Sequence, residues 1–167
     1  FEAVWDKTVQ AKLAHGAKVI WSLGLRGRWD APIWSQVPEL AGNRALQADV
    51  FARVIRHQLT VIRRHDPDPE CVYNLWMEGA GLYHAGILKI PEGVTVVWPD
   101  NNSGLLTDQG KLAAGQGFYY HPGMCGATRS HFTEWMPVDR MHAELQRCER
   151  RGASAYGLFA QVAVYPL

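Results

Sequence analysis

Polar side chains that could do chemistry follow four short apolar segments of this chain. A carboxylate can donate or accept a proton, a guanidinium binds anions, and an amide both donates and accepts hydrogen bonds. Gathered in one place, such groups could bind a polar substrate and move protons on it. They are Arg26 and Asp30 after the first segment, Glu78 after the second, Asp100, Asn101 and Asn102 after the third, and His121 after the fourth.

The apolar segments have the composition of buried strands, and helical patterns alternate with them. The segment VTVVW at 94–98 is rich in β-branched residues and is the clearest strand. The other predicted strands are 18–23, 71–76, 117–121 and 153–160, and the predicted helices are 2–15, 43–65, 78–88 and 138–151. Alternating strands and helices predict parallel strands and an α/β fold.

The chemically interesting side chains share one position relative to the strands. Each follows the carboxyl end of a strand, and in a barrel of parallel strands these ends form the face where active sites are built. The long segment 24–43, rich in Gly, Pro and Trp, lies at this face as well. Long ordered loops in compact domains are usually functional, so the pattern predicts a site at this face.

Size and composition are those of an ordinary globular domain. The chain has 167 residues, 47% of them hydrophobic, with a formal net charge of +1, so bulk charge gives no reason to expect nucleic acid. No apolar run reaches membrane-spanning length and no signal peptide is visible. The first residue is Phe1, from which we expect a processed, trimmed or longer parent chain. Three scattered cysteines, without a CxxC pair, disfavour zinc or a disulfide framework.

Four motifs resemble, in order, the central barrel of the xylan α-glucuronidases of glycoside hydrolase family 115. LGLRGRWDAP at 23–32 is similar to G-[ML]-R-G-x-x-D-x-P, and LWME at 75–78, with LYHAG and IP after it, to a Y-K-E segment. VTVVWPDNNSG at 94–104 resembles V-T-L-x-W-x-D-D-N-x-G, and GQGFYYH at 115–121 resembles G-G-A-G-V-Y-Y-H. Asn101 departs from the second Asp of D-D-N, and residues 122–126 and 159–162 also differ from the family pattern.

The resemblance implies a fold, an activity and a substrate. The fold is α/β, a parallel (β/α) barrel-type domain built as a partial TIM barrel of about five β/α units, with residues 1–167 as a single catalytic-type domain or fragment. The activity is removal of (4-O-methyl)glucuronic acid side groups from a xylan-type polysaccharide by an inverting, two-carboxylate mechanism. The resemblance implies no cofactor. It implies a secreted or periplasmic location.

Glycoside cleavage by inversion needs one carboxylic acid to protonate the leaving oxygen and one carboxylate to activate water. By analogy with the Y-K-E position, Glu78 is the predicted general acid. Asp30 is the predicted base or a sugar ligand, and Asp100 is a candidate for either role. The alternatives are a helix-N-terminal carboxylate for Glu78 and a turn residue before proline for Asp30.

Other side chains suit the binding of a uronic acid. Arg26 could bind the substrate carboxylate as a planar fork, or it could pair with Asp30 or Glu78. Asn102 could bind sugar hydroxyls or only form a turn. Along the fourth strand Tyr120 or His121 is favoured at the site, and Tyr119 is a core candidate. Trp29, Trp34 and Trp76 are candidate sugar platforms, whereas Trp98 is better explained as core.

Other classes of function are less well supported by the sequence. His121, His131 and Asp100 show no short spacing typical of a metal site, and no phosphate-binding loop is present. The second hypothesis is a non-catalytic carbohydrate-binding or structural fragment. The partners expected are a glucuronoxylan-like polysaccharide, without nucleic acid or membrane. Five strands leave open edges, for which we expect further chain, a second copy or an altered closed topology.

Overall fold

The computed structural model describes residues 2–16, 18–122 and 136–159. The chain divides into two compact units, residues 1–94 and 95–167, here called the N-terminal and the C-terminal unit. Helices and strands alternate along the N-terminal unit, as the sequence predicts, whereas in the C-terminal unit two strands follow one another before a helix and a last strand.

The N-terminal unit contains three helices and a pair of strands. The helices are α1 (Glu2–Leu13), α2 (Arg44–Arg63) and α3 (Glu78–His84), and the strands are β1 (Ile20–Leu23) and β2 (Glu70–Asn74). The strands are parallel, with Ile20 opposite Glu70 and Leu23 opposite Tyr73. The 24–43 segment, expected as a loop, contains three short 3₁₀ turns at Arg28–Asp30, Ile33–Ser35 and Pro38–Leu40.

Helix α2 illustrates how local sequence builds this unit. The side chain of Asn43 accepts a hydrogen bond from the backbone N–H of Leu46 and caps the helix, as the sequence predicts. Its apolar stripe, which includes Phe51, Ile55 and Leu59, is buried. The same helix sends Gln58 toward the loop after β1, so it also supports the segment that carries Arg26.

The C-terminal unit is built around strands β3 (Val94–Pro99), which begins at the junction between the units, β4 (Gly117–Tyr120) and β5 (Tyr156–Phe159), with helix α4 (Val138–Arg150). Both strand pairs are parallel, with Val97 opposite Gly117 and Gly117 opposite Tyr156. Trp98 is fully buried and donates to Gln116, which confirms its assignment to the core.

The strands have the order β1-β2-β3-β4-β5 in one sheet. Sequential order with parallel neighbours is the topology of successive β/α units. The fold is therefore a partial parallel β/α barrel of five strands, as expected. None of the helices in the described ranges is long and apolar enough to cross a membrane.

Strands β1 and β5 begin two and three residues later than predicted, and two helices differ more clearly from the sequence-based expectation. Helix α3 ends at His84 and not at Leu88, because Gly86 adopts a positive φ of 72° and the chain turns back to hydrogen-bond Leu82. Of the face predicted for helix α4, Cys148 is buried, Met141 and Leu145 are half-buried and Val138 is 71% exposed. The other buried residue of the helix is Glu144.

Candidate active site

The loop after β1 is fixed at its first residue by contacts from two elements. Gln58 of α2 donates to the backbone oxygen of Gly24 and accepts from its N–H, at 3.1 and 2.8 Å. Gly24 has a φ of +128°, which favours glycine, and lies against the ring of Tyr73. This anchoring sets the path of the chain two residues before Arg26.

Arg26 and Glu78 form an ion pair between the loop after β1 and the start of α3. The Arg26 guanidinium donates to Glu78 Oε2 and lies 3.5 Å from the Met77 sulfur. The Glu78 side chain is 5% exposed. Its other oxygen, Oε1, is buried and has no hydrogen-bond partner within the described ranges. Of the two roles considered for Arg26, the structure shows the ion pair with Glu78, and binding of a substrate carboxylate stays a prediction.

Two non-glycine residues beside this pair have positive φ. Trp29 has a φ of 59° and is 97% exposed, and Met77 has a φ of 42° and is 61% exposed. Backbone strain of this kind costs about 1–3 kcal/mol and is concentrated at functional sites. An indole held in solvent on a strained backbone is available for stacking. The backbone of Asp30 ends the same 3₁₀ turn, but its side chain lies outside the described part of the structure.

Tyr73 of β2 packs between the two segments that carry the ion pair. A Cβ added to Gly24 would lie 2.7 Å from its ring, and a Cβ added to Gly79 would lie 2.7 Å from its hydroxyl. Tyr73 is 3% exposed, and burial together with the Glu78 carboxylate raises its pKa. It therefore packs against the segments that carry Arg26 and Glu78, a role that sequence reasoning missed because nothing local in the sequence marks a tyrosine ring packed against two glycines.

Replacing Gly79 by Ala is expected to destabilise the protein by about 1–3 kcal/mol, because the new methyl group overlaps the buried Tyr73 hydroxyl. Gly81 is the matched control in the same helix, since a Cβ there meets nothing within 4 Å. Gly81→Ala should stabilise the helix by up to about 1 kcal/mol. Thermal unfolding measures both, and Tyr73→Phe should restore most of the loss in Gly79→Ala. Equal unfolding temperatures for the two alanine variants would contradict the packing.

The C-terminal unit pairs Asp100, just after β3, with His121, just after β4. Asp100 Oδ1 lies 2.5 Å from His121 Nδ1, and both side chains are buried. The Tyr119 ring is 4.4 Å from the imidazole, so Tyr119 and His121 share one side of the strand. Asp100 Oδ2 is buried without a hydrogen-bond partner in the described ranges. Asp100 thus orients the imidazole and keeps one oxygen unused.

The turn after Asp100 separates the roles of the two asparagines. The side-chain oxygen of Asn101 accepts from the backbone N–H groups of Ser103 and Leu105, so this residue builds the turn. Asn102 has a φ of 57°, and its Oδ1 is buried with no hydrogen-bond partner among the described residues. Of the two, Asn102 is the one with an unsatisfied polar atom, as a substrate ligand would have before binding.

Tyr120 supports this turn through a hydrogen bond to its backbone. It is fully buried, and its hydroxyl donates to the backbone oxygen of Gly104 at 3.2 Å. A Cβ added to Gly104 would overlap the Met136 sulfur and come within 2.7 Å of that hydroxyl. The observed contact of the hydroxyl is structural, and a role of Tyr120 in substrate binding stays a prediction.

Asn74 is a further candidate that sequence reasoning did not single out. It ends β2, and its Oδ1 is buried without a hydrogen-bond partner in the described part of the chain. The strand-end rule could have found it, because it stands at the carboxyl end of a strand, as the other candidates do. Among the described residues, no group of three or more His, Cys, Asp or Glu side chains is arranged to hold a metal. His131 lies outside the described residues.

Comparison with known proteins assigns the family. The model of glycosyl hydrolase family 115 matches residues 1–161. The chain belongs to glycosyl hydrolase family 115. A search of curated proteins finds no match. Every motif quoted above lies within the matched range, so the resemblance read from the sequence is confirmed for the family.

A solved family 115 structure has the same fold. It is described as "A novel family GH115 4-O-Methyl-alpha-glucuronidase, BtGH115A, with specificity for decorated arabinogalactans", and the two share 23% sequence identity with a TM-score of 0.77. The match covers 95% of this chain and 21% of BtGH115A, so this family 115 chain spans about a fifth of the length of that protein.

Proposed function

We propose that this family 115 chain is part of the catalytic barrel of a glycoside hydrolase that removes (4-O-methyl)glucuronic acid from a xylan-type polysaccharide. The observation that carries the proposal is the environment of the Glu78 side chain. Its side chain is 5% exposed, its Oε2 is ion-paired to Arg26, and its Oε1 is buried without a hydrogen-bond partner among the described residues. A carboxyl with one oxygen fixed and the other unsatisfied suits proton transfer to a leaving oxygen.

The mechanism proposed is direct displacement with inversion. Glu78 takes up a proton when the bound uronate displaces it from Arg26, and it delivers that proton through Oε1 to the glycosidic oxygen as the bond to the anomeric carbon breaks. Asp30 or Asp100 accepts a proton from the water that attacks the opposite face of the sugar. The second oxygen of Asp100 is available for this, since Oδ1 is taken by His121.

Arg26 is proposed to bind the carboxylate of the uronic acid. A guanidinium has five N–H donors, so it can hold a substrate carboxylate and an enzyme carboxylate together. A uronate bound there competes with Glu78 for the same positive charge. Its arrival would weaken the Arg26–Glu78 pair at the moment when Glu78 must carry a proton. The ion pair would in this way couple substrate binding to the acid role.

The remaining contacts serve recognition in this proposal. Trp29, at 97% exposure, supplies a flat surface for the apolar face of a sugar. Asn102 offers an unsatisfied amide oxygen for a sugar hydroxyl. His121, oriented by Asp100, donates to or accepts from a hydroxyl as well, and Tyr120 completes the predicted set. The partner is a glucuronoxylan-like polysaccharide, with further chain or a second copy completing the barrel.

The second candidate function is binding of carbohydrate without cleavage. The exposed Trp29 favours it, because a stacking surface of this kind is equally useful to a binding protein. Asn101 also favours this second function, because it replaces a carboxylate of the resembled motif and its side chain is used in a turn.

The decisive experiment follows the products formed from glucuronoxylan by proton NMR. An inverting hydrolase acting on an α-linked glucuronic acid releases the β anomer first, and the α anomer grows in later by mutarotation. Early release of the α anomer would overturn inversion. Binding of the polysaccharide with no release of uronic acid would favour the second function and overturn the first.

A further inference from the structure

We propose that Glu144 and Arg147 of α4 are positioning residues for the glycoside cleavage proposed above, on which this inference rests. They hold the turn that presents Asp100 and Asn102. The residues that touch substrate in the proposal lie at or after the carboxyl ends of strands, whereas Glu144 and Arg147 lie in the second half of helix α4. The inference therefore extends the site to a second layer of the C-terminal unit.

Arg147 is held between two buried carboxylates. Its Nε and Nη2 donate to the two oxygens of Glu144 at 2.9 and 2.7 Å. Its Nη1 and Nη2 donate to the two oxygens of Asp108 at 3.1 and 2.7 Å. Both edges of the guanidinium are thus occupied by paired hydrogen bonds, which fixes its orientation as well as its position. Asp108 and Glu144 are 2% and 7% exposed.

This ion cluster is bonded directly to the backbone of the segment after β3. Glu144 Oε1 accepts from the N–H of Leu106 at 2.7 Å, and Asp108 Oδ2 accepts from the N–H groups of Gly110 and Leu112. Leu106 in turn forms a bridge with Asp100. The cluster is therefore connected to Asp100 through a single residue, Leu106.

A second contact from α4 ties down the far side of the same turn. Arg140 donates to the backbone oxygen of Ser103 at 2.9 Å. Helix α4 thus contacts the turn at Ser103 and at Leu106. The side-chain oxygen of Asn101 holds the turn together by accepting from the N–H groups of Ser103 and Leu105. Asn102 is then held at a φ of 57° with its amide oxygen unsatisfied. Rigid support of this kind is what keeps a binding group in place before the substrate arrives.

The expected effect of breaking the cluster is a loss of activity in protein that is still folded. Glu144→Gln keeps the shape of the side chain but removes its charge from Arg147. We expect kcat/KM for uronic acid release to fall about tenfold, with the larger part in kcat, because the turn loosens around the reacting sugar. The control is Glu149→Gln, the same change at an exposed position of the same helix, which should stay within about twofold.

A double-mutant cycle with Asn102→Gly separates positioning from a merely structural role. Glycine removes the amide and tolerates the positive φ. If Glu144 acts through Asn102, Glu144→Gln should cost about twofold or less in the Asn102→Gly background, instead of about tenfold. An unchanged tenfold cost in that background, or an unchanged kcat/KM in Glu144→Gln alone, would overturn the inference while the wild-type activity stands.

A milder variant covers the case in which Glu144→Gln does not fold. Arg140→Met removes the exposed tether to Ser103 and should lower kcat/KM about fivefold, again with the effect reduced by Asn102→Gly. Arg150→Met is its control on the same helix, because Arg150 is exposed and its hydrogen bond is a long one, 3.5 Å, to Gln146 one turn away. Equal activity of the two Arg variants would overturn the inference. Absence of uronic acid release by the wild type would instead overturn the proposed function, and this inference with it.

Discussion

Glu78→Gln is expected to reduce release of glucuronic acid by about 10³-fold, because general acid catalysis by a positioned side chain contributes about that much. The amide keeps the volume of the carboxyl and a donor near the glycosidic oxygen, but it cannot transfer a proton. Substrate binding should change little. The split between kcat and KM, obtained from initial rates on defined glucuronic-acid-bearing xylo-oligosaccharides, measures this directly.

Glu92→Gln is the matched control for this variant. Glu92 is exposed in the turn before β3, so the same chemical change there should leave the rate within about twofold. A Glu78→Gln enzyme that retains more than a tenth of the wild-type kcat, with an unchanged unfolding temperature, would clear Glu78 of the acid role.

Arg147→Met is expected to have the largest effect on stability. It leaves the carboxylates of Asp108 and Glu144 buried without their shared cation, and breaking a buried ion pair in this way costs about 3 kcal/mol or more. Urea unfolding at pH 7 measures the loss. The control Arg150→Met, at an exposed position three residues along α4, should change the free energy of unfolding by less than about 0.5 kcal/mol.

The pH dependence of this loss follows from Asp108. Burial alone would raise its pKa from 3.8, but Arg147 and backbone N–H donors outweigh burial, and the pKa is lowered. A lowered folded pKa gives stability that is present above the ordinary value and is lost as the pH falls through the folded value. Removing Arg147 removes this gain. The difference in unfolding free energy between wild type and Arg147→Met should therefore shrink below about pH 4, and a constant difference from pH 7 to pH 3 would contradict this.

The elements of the fold that were predictable from sequence are those with a local cause. The N-cap at Asn43, the apolar stripe of α2 and the β-branched β3 all depend on residues within a few positions of each other. The family followed from four ordered motifs, which also have local spacing. The family model that matches residues 1–161 confirms that assignment.

What the sequence did not reveal depends on partners distant along the chain. The ion pair of Arg147 with Asp108 joins residues 39 positions apart and had no signal in the sequence. The pair of Arg26 with Glu78 spans 52 positions, and the sequence offered it only as one of several alternatives for Arg26. The sequence pattern of helix α4 predicts the wrong buried face for the same reason. Its pattern favours an apolar buried face, but the cation at Arg147 and the backbone of Leu106 draw Glu144 inward. The periodicity of apolar residues predicts which side chains are buried by hydrophobicity, and it cannot predict a charged side chain that is buried because it is paired.

The candidate site was predictable in its residues and less so in their environment. The strand-end rule singled out Arg26, Glu78, Asp100 and Asn102 without any contact information. It did not indicate that Glu78 and Asn102 would each keep one buried oxygen without a partner in the described ranges. That property depends on three-dimensional packing, and it is what distinguishes these side chains from ordinary turn and cap residues.

The most direct test of the central claim compares uronic acid release from glucuronoxylan by wild type and by Glu78→Gln, at equal concentrations of folded protein. The account predicts steady release of (4-O-methyl)glucuronic acid by the wild type and about 10³-fold slower release by the variant. No release by the wild type, or equal release by both proteins, would contradict it.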